Sequence, residues 1–202
     1  MPGHKAAEAT RREQILKAAH EVAVRRGIDG LTVRAVAARA RLSHGLVLFH
    51  FKRKDQLGLA LLDRVLASTV SLRIPDSISE IGNPQERLEA LFRHEMTRLS
   101  EEPRRIRLLL EYWARGGHNA VIRGKISVGL DHYRASFRNI ATEILGVESN
   151  RSRPATVAGV AAVAVSLIIG FLIQAMIDPD QFDIEEYIAQ VQGILGPLVK
   201  AA

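Results

Sequence analysis

The stretch LTVRAVAARARLSHGLVLFHFKRKDQL, residues 31–57, constrains the fold of this chain more than any other part of it. Apolar residues recur there at the i, i+3, i+4, i+7 spacing of one helix face, at Val33, Val36, Ala37 and Ala40. Thr32 precedes this run as a helix N-cap, and Ser43 precedes a second, shorter run. So short a helix is unstable alone, so we expect Val47 and Phe51 to hold it by packing against the first. The stretch therefore predicts two short helices joined by a tight turn.

Basic residues follow the second predicted helix directly. Lys52, Arg53 and Lys54 stand where another helix begins, and the free N–H groups of a helix start together with cations suit a phosphate. Residues 1–57 contain 12 Lys and Arg against 5 Asp and Glu, whereas residues 58–202 contain 16 against 17. Short helices at a tight turn with concentrated basic charge are typical of a helix-turn-helix that places its second helix in a DNA groove.

The first 57 residues resemble the DNA-binding domain of the TetR family of bacterial regulators. The resemblance rests on Ile15, Leu16, Ala18, Ala19, Gly27, Thr32, Val33, Val36, Ala37, Ala40, Ser43, Gly45, His50, Phe51, Lys54 and Leu57. It implies that residues 43–50 form the recognition helix and that Lys54 fixes the next helix to the DNA backbone. Two positions differ from the family pattern. Leu48 replaces a usual tyrosine, and Arg41 replaces a usual glycine, which adopts a left-handed turn at lower cost.

The predicted DNA-contacting residues comprise a helix cap, the turn, the recognition helix and the cations that follow it. They are Thr32, Arg41, Ser43, His44, Gly45, Leu46, Leu48, Phe49, His50, Lys52 and Lys54. His44 and His50 offer hydrogen bonds to base edges, and Leu46 or Leu48 offers an apolar contact to a thymine methyl group. No arginine lies on the predicted recognition helix to bind guanine.

The chain as a whole is predicted to be all-α, with about nine helices and without strand alternation, repeats or low-complexity tracts. We expect a three-helix DNA-binding domain over residues 1–57 and a helical regulatory and dimerisation domain over residues 58–202. Helix starts are predicted at a capping box Thr10–Glu13, and then at Lys54, Asn83-Pro84, Pro103, Asn119, Pro154 and Asp183. Helix ends are predicted at Gly27, Ser71, Gly116, Gly146 and Asp178, and residues 74–84 are predicted to form a loop.

Residues 155–177 contain no charged side chain. At about 1.5 Å per residue such a helix is long enough to cross a bilayer, and Arg151 and Arg153 flank it, so a membrane-anchored regulator is one interpretation. A helix that is apolar on all sides is otherwise buried in a core or an interface. The family resemblance implies the second interpretation, a homodimer through the last two helices, about residues 154–178 and 184–199. The last helix would contribute the stripe Ile184, Tyr187, Ile188, Val191, Ile194 and Leu195.

The body also resembles the C-terminal domain of BetI-type regulators, at LLLEYWAR (residues 108–115) and at GFLIQAMIDP (residues 170–179). The resemblance implies a small-molecule pocket enclosed by the helices of the body. The candidate lining residues are Phe92, Met96, Tyr112, Trp113, Tyr133, Phe137, Phe171 and Gln174. For each of them, ordinary core packing is the alternative. Tyr112 and Trp113 also suggest part of an aromatic box for a quaternary amine.

Other classes of protein fit this chain poorly. It has no cysteine for thiol chemistry, and it lacks a phosphate loop, a nucleophile elbow and an HExxH motif. We therefore expect no catalytic site, no metal site and no cofactor. Residues 1–9 are polar and lack the apolar region of a signal peptide, which favours a cytoplasmic protein.

Together these features predict a ligand-responsive repressor. As a homodimer it would set two recognition helices in successive major grooves of a near-palindromic operator, and a small-molecule inducer would release it. Three alternatives remain at this point. They are a membrane-anchored regulator, an activator or co-repressed regulator on the same fold, and a scaffold that does not bind DNA.

Overall fold

The computed structural model of the protein describes residues 2–70, 74–145 and 156–200, with side chains described for residues 8–70, 74–145, 156–191 and 193. Within these ranges the chain forms ten α-helices and one 3-10 turn at Pro179–Gln181, without any strand, and the predicted all-α class is confirmed. The helices are α1 (Pro2–Arg26), α2 (Val33–Ala40), α3 (His44–Phe51), α4 (Lys54–Thr69), α5 (Asp76–Ser79), α6 (Pro84–Ser100), α7 (Pro103–Gly116), α8 (Ala120–Leu145), α9 (Val157–Ile177) and α10 (Ile184–Lys200).

Most helices begin where short polar side chains or proline predict a start. Five such side chains accept a hydrogen bond from a backbone N–H two or three positions ahead, at distances between 2.9 and 3.4 Å: Thr32, Ser43, Asn83, Asn119 and Asp183. Each of these bonds satisfies a donor that the first turn of a helix leaves without an intrahelical partner. Local sequence therefore specifies where these helices start.

The predicted start of the first helix was wrong. The sequence suggests a capping box at Thr10, but α1 begins at Pro2, so that Thr10 lies inside the helix. Proline is tolerated at the first helical position, and the residues between it and Gly27 contain mainly good helix formers. The capping-box pattern is therefore overridden because no residue upstream of it stops the helix.

One helical turn, α5, lies in the segment predicted as a loop. It starts after Pro75, whose carbonyl accepts from the N–H of Ile78 at 2.9 Å, and Ile78 is buried. A single turn is too short to show a helical repeat in the sequence. Burial of one isoleucine accounts for its formation here.

The start of α9 is set by Thr156, whose hydroxyl accepts from the N–H of Gly159 at 3.0 Å. Several features predicted for this part of the chain lie outside the described residues: the helix end at Gly146, the flanking Arg151 and Arg153, and the helix start at Pro154. The predicted end of α4 at Ser71 also lies outside them; its described helical residues end at Thr69.

The chain divides into two compact units. The first contains the residues up to Thr69 together with Arg104–Val128, that is α1 to α4, nearly all of α7 and the first part of α8. Its core contains the buried side chains of Ile15, Ala19, Val36, Val47, Leu57, Leu61 and Leu108. The predicted boundary between a DNA-binding domain, residues 1–57, and a regulatory domain, residues 58–202, is a division by function and stays a prediction.

The second unit contains Val70–Pro103 and the chain from Gly129 onward. In it α6 packs against α9 and α10. Buried apolar side chains of these helices and of α8 form the core, among them Leu91, Phe92, Met96, Phe137, Ile168, Phe171 and Ile188. Near one end, Ala141 and Leu145 of α8 pack against Val160 of α9.

A charged group lies in this second core. The Glu95 carboxylate is 0% exposed, and Arg98 donates two hydrogen bonds to it, each of 2.8 Å. The hydroxyl of Tyr133 donates a third, also of 2.8 Å. Hydrogen bonding to Glu95 raises the pKa of Arg98, and burial followed by the nearby Glu95 raises the pKa of Tyr133 well above its usual range. The Glu95 carboxylate is thus the shared acceptor of Arg98 and Tyr133.

We expect the stability of the protein to fall as pH rises above 10. Burial raises the pKa of both Tyr112 and Tyr133, whereas a tyrosine in the unfolded chain ionises near 10. Above that pH the unfolded state binds fewer protons than the folded state, so the free energy of unfolding decreases. In an alkaline titration, the tyrosinate absorbance of two of the three tyrosines should appear only together with loss of the helical circular dichroism signal. Full tyrosinate absorbance from a protein that is still helical would contradict this.

Candidate nucleic-acid interface

The turn between α2 and α3 is built around Arg41. Its φ of 56° and ψ of 44° are left-handed, the region in which glycine is favoured over residues with a Cβ. The N–H of Arg41 donates to Ala38 at 3.3 Å, and the N–H of Leu42 donates to Ala37 at 2.9 Å. These bonds satisfy the last carbonyl groups of α2 and offset the cost of the left-handed residue. The turn predicted from the sequence is therefore formed, with an arginine at its strained position.

The short helix α3 is held by packing and by α1. Val47 is 0% exposed and Phe51 is 2% exposed. This burial is expected, because a helix as short as α3 is unstable in isolation. The guanidinium of Arg12 lies 4.2 Å from the centre of the Phe51 ring and donates to the backbone carbonyl of His50 at 3.1 Å. The amide of Gln14 donates to the carbonyl of Ala40 at 3.0 Å. Two side chains of α1 therefore fix the last carbonyl of α2 and the end of α3.

The outer face of α3 is open. His44, Gly45 and Phe49 are exposed, while Leu46 and Leu48 are partly buried. A Cβ added to Gly45 would meet nothing within 4 Å. Phe49 has 73% of its surface exposed, and its ring lies edge-on to that of His50 with the centroids 5.3 Å apart. This face therefore presents apolar and imidazole groups around a glycine that leaves room for close approach.

Cations surround the end of α3 and the start of α4. Lys52, Arg53 and Lys54 are all exposed. Arg53 pairs with Asp55 at 3.4 Å, and Lys52 and Lys54 form no ion pair with any residue that the structure describes. A helix start with positively charged side chains beside it attracts anions such as phosphate.

Residues of α7 hold the loop after α1 and the N-terminal part of α4. The Glu111 carboxylate accepts from the N–H of Ile28 at 2.7 Å. It also lies against Gly27, where φ is +70° and an added Cβ would come within 3.1 Å of the carboxylate. The hydroxyl of Tyr112 donates to the carbonyl of Gly58 at 2.8 Å. Sequence reasoning missed Glu111 altogether, because no local pattern marks a carboxylate that caps a loop 83 residues away.

Two ion pairs add to these contacts in the same unit. Arg115 of α7 pairs with Asp29, and Lys125 of α8 pairs with Asp63 of α4 at 2.6 Å. Exposed pairs of this kind contribute little to stability individually. Together with Glu111 and Tyr112 they nevertheless join residues 104–128 to the loop after α1 and to α4 at four places.

The residues predicted to line a ligand pocket are divided between the two units. Phe92, Tyr133 and Phe137 form one aromatic group in the second unit, with neighbouring ring centroids 5.7 Å apart. Met96 is fully buried in the same unit. Phe171 packs instead against the rings of Phe182 and Tyr187, with centroids 6.4 and 5.0 Å away.

The other three predicted pocket residues lie elsewhere. Tyr112 and Trp113 belong to the first unit, where the Tyr112 hydroxyl is already bonded to Gly58. The buried indole N–H of Trp113 has no hydrogen-bond partner in the described part of the chain. Gln174 is exposed on α9, and its amide donates to the carbonyl of Gly170 at 3.4 Å. Because the Tyr112 hydroxyl is bonded to the backbone of α4, its geometry does not support an aromatic box shared with Trp113.

Helix α9 has two different faces. One is buried in the second unit and consists of Val160, Ala161, Ala164, Val165, Ile168, Phe171 and Leu172. The other exposes Gly159, Val163, Ser166, Gln174 and Ile177, none of them charged. Among the described helices, α9 is the one whose length and composition would allow it to cross a membrane, as the sequence predicts.

The predicted stripe of α10 is partly buried within the protomer. Ile188 and Val191 are 2% and 4% exposed, and the hydroxyl of Tyr187 donates to the carbonyl of Leu167 in α9 at 2.9 Å. The side chains of Ile194 and Leu195 lie outside the described residues. Among the described side chains of α9 and α10, the uncharged surface that remains open is contributed mainly by α9.

Two family models match the chain. The model for bacterial regulatory proteins of the TetR family matches residues 15–61, which contain α2 and α3. The model for the C-terminal region of BetI-type transcriptional repressors matches residues 84–199, more than half of the chain.

Curated relatives carry the same helix-turn-helix description. A helix-turn-helix transcriptional regulator encoded in the dhlA 5' region of Xanthobacter autotrophicus is 29% identical over 176 residues, which cover 85% of this chain and 82% of the relative. A helix-turn-helix transcriptional repressor of Mycobacterium tuberculosis is 45% identical over 51 residues, which cover 25% of this chain and 27% of the relative.

Several crystal structures share the fold. A protein of Pseudomonas aeruginosa PAO1 described as a transcriptional regulator has a TM-score of 0.78 at 20% identity, covering 95% of this chain and 91% of its own. FadR of Bacillus subtilis, in complex with stearoyl-CoA, has a TM-score of 0.70 at 20% identity, covering 94% and 98%. A regulator of Saccharomonospora viridis, in complex with choline, has a TM-score of 0.73 at 18% identity, covering 93% and 96%.

Proposed function

Because the chain belongs to the TetR family of bacterial regulatory proteins, which are transcriptional regulators and not enzymes, we propose that it is a cytoplasmic, ligand-responsive repressor. As a homodimer it binds a near-palindromic operator, and a small-molecule inducer releases it. The observation that carries this proposal is the open outer face of α3, which α1 holds in place and exposed cations border. A rigid short helix with cations at its end is suited to a major groove.

The proposed DNA contacts divide by chemistry. Lys52, Lys54 and Arg41 neutralise phosphates, while the N-terminal residues and outer face of α3 meet base edges. The complete proposed set is Thr32, Arg41, Ser43, His44, Gly45, Leu46, Leu48, Phe49, His50, Lys52 and Lys54. All of these residues are exposed or partly exposed, whereas Val47 and Phe51 on the inner face are buried.

The proposed dimer forms through the last two helices, about residues 154–178 and 184–199. The outer face of α9 supports it, because an uncharged helix face open to water is stabilised by burial against a second copy. A membrane is the alternative occupant of this face. The same helix buries its other face in its own protein unit and packs against α6, which favours a soluble dimer. Purification of a dimer without detergent would exclude the anchor.

The proposed effector site lies in the body of the protein. Its candidate lining residues in the second unit are Phe92, Met96, Tyr133, Phe137, Phe171 and Gln174, of which Phe92, Tyr133 and Phe137 are in ring contact. The other two candidates, Tyr112 and Trp113, belong to the first unit and stay a separate prediction. Two structural neighbours were crystallised with ligands of different chemistry, stearoyl-CoA and choline. They support a ligand-responsive body in this protein and leave the class of its effector open.

Selection of random duplex DNA on the purified protein tests the proposed function. Enrichment of a two-fold symmetric site, with half-sites centred about one helical turn apart or a multiple of it, is the expected result. The regulated genes would follow from the sequence of the site. If a folded, soluble protein enriched no sequence, operator binding would be excluded for the form isolated, and the proposal would fail unless removal of a bound ligand restored selection.

We expect Lys54→Ala to weaken binding to all duplex DNA alike. Loss of one phosphate contact in each protomer should reduce the slope of log affinity against log salt by roughly 2 for the dimer. His44→Ala should instead relax base preference at one position in each half-site and leave the salt slope unchanged. Arg107→Ala is the control, since it removes the same charge from an exposed position on α7. If Lys54→Ala and the unsubstituted protein showed the same dependence of log affinity on log salt, Lys54 would not be a phosphate contact.

A further inference from the structure

The outward direction of α3 can be derived from its buried side. Successive residues of a helix are separated by about 100°, so Phe49 points about 200° away from Val47, that is, nearly opposite to it. Gly45 lies one turn before Phe49 on the same face. Val47 and Phe51 are buried, and Phe49 is 73% exposed. The exposed large hydrophobic side chain of α3 is therefore an aromatic ring, one turn after a position with no side chain.

The Phe49 ring is apolar and exposed, and its orientation is restricted. Its edge-on contact with the imidazole of His50, at 5.3 Å between centroids, restricts its orientation. The backbone of His50 is in turn held by the guanidinium of Arg12. Exposed cations, Lys52, Arg53 and Lys54, follow α3 directly. An exposed aromatic ring on a helix that ends in cations suits a partner surface that is negative overall and has an apolar group within it.

The major groove of DNA offers one such group. Thymine carries a C5 methyl there, and the other base edges present hydrogen-bond donors and acceptors. The residues of α3, HGLVLFHF, include no Arg, Lys, Asn or Gln, which are the side chains that form bidentate bonds with guanine or adenine. Along α3, hydrogen-bonded recognition by side chains is thus limited to the two histidines, and most of its accessible outer surface is apolar.

We infer that Phe49 determines operator specificity by contact with a thymine methyl group in each half-site. This inference rests on the proposed function, since it requires that α3 enter the major groove. Gly45 allows the DNA to approach the ring closely, because a bare glycine leaves the space over the preceding turn of the helix empty. Partly buried Leu46 and Leu48 flank the ring and extend the same apolar surface.

Replacement of thymine by deoxyuridine tests the inference, because it removes only the methyl group. Each thymine of the selected operator is replaced in turn, symmetrically in both half-sites, and the affinity of the full-length dimer is measured. At one position the affinity should fall about fourfold per half-site, which is the value of one buried methyl group. Replacement in both half-sites should therefore lower the affinity roughly 16-fold. In Phe49→Ala the affinity for the thymine operator should fall by at least as much, and deoxyuridine at that position should cause no further loss.

Two controls separate the methyl contact from other effects. His44→Ala should keep the full penalty for deoxyuridine, since it leaves the ring in place. Phe49→Ala should unfold at the same temperature as the unsubstituted protein, since the side chain is mostly exposed.

The outcomes distinguish this inference from the proposed function. If the protein binds its operator but no thymine is sensitive to loss of the methyl group, the inference is overturned and operator binding stands. If Phe49→Ala retains the deoxyuridine penalty, another side chain makes the contact and the inference is likewise overturned. If no duplex DNA is selected at all, the proposed function fails and this inference fails with it.

Discussion

Val163→Glu is expected to convert the proposed dimer into a monomer and to abolish operator binding at concentrations that saturate the unsubstituted protein. Val163 is 40% exposed on the outer face of α9, which carries no charge. In a two-fold symmetric interface each copy buries the new carboxylate, and an unpaired buried charge costs several kcal/mol. The dissociation constant of the dimer should therefore rise by at least about a hundredfold. Analytical ultracentrifugation and operator titration measure the two effects.

A matched substitution on another exposed valine separates interface loss from a general effect of added charge. Val121 is 57% exposed at the start of α8, in the first unit, and Val121→Glu should remain dimeric. Both variants should keep the helical circular dichroism spectrum. A dimeric Val163→Glu protein with unchanged operator affinity would show that the outer face of α9 lies outside the interface.

The second large effect is expected for Arg98→Met, which should lower the free energy of unfolding by about 3 kcal/mol, near the lower end of the range for removing one partner of a buried ion pair. The remaining carboxylate of Glu95 is 0% exposed and would keep only the hydroxyl of Tyr133 as a donor among the described contacts. The lower end of the range applies because the Arg98 side chain is 29% exposed. Denaturant unfolding at neutral pH measures the change.

A double variant distinguishes an unpaired charge from lost packing. In Glu95→Gln/Arg98→Met the buried carboxylate is absent, so most of the stability lost in Arg98→Met should return. Arg134→Met is the control, since Arg134 forms an ion pair with Asp131 at the same i, i+3 spacing but near the surface. It should change stability by less than about 1 kcal/mol. If the double variant were no more stable than Arg98→Met, the loss would come from packing of the arginine stem.

Within the first unit, α7 contacts the elements that support α3. Through Glu111 and Tyr112 this helix contacts the loop after α1 and the N-terminal part of α4, within the same unit as the recognition helix. A displacement of α7 by a ligand would therefore act on the elements that support α3. Such contacts between packed helices are the kind of connection that a two-state regulator requires.

The sequence predicted the helix-turn-helix in detail because its determinants are local. Thr32 and Ser43 cap helices whose donors lie three residues ahead, and the apolar spacing of α2 selects its buried face. The same locality accounts for the correct starts at Asn83 and Asp183. The prediction was wrong for the start of α1 because a capping pattern does not exclude a helix that begins earlier.

A local sequence pattern does not determine which aromatic residues line a pocket. Aromatic residues in an apolar helical chain are favoured both as core and as pocket lining, and no spacing distinguishes the two. The structure groups Phe92, Tyr133 and Phe137 but gives the hydroxyl of Tyr112 a partner in α4. Which aromatic residues are neighbours depends on how the helices pack, and helices of similar apolar pattern can pack in many ways.

The sequence by itself determined most helix starts and their caps, the resemblance to the family and the basic character of the part that meets DNA. Only the tertiary structure decided which side chains hold that part in place. Glu111 meets Ile28 across 83 positions, Tyr112 meets Gly58 across 54, and Tyr133 meets Glu95 across 38. A helix start depends on residues within one turn of it, whereas a hydrogen bond between distant helices exists only once burial of their apolar faces has brought them together.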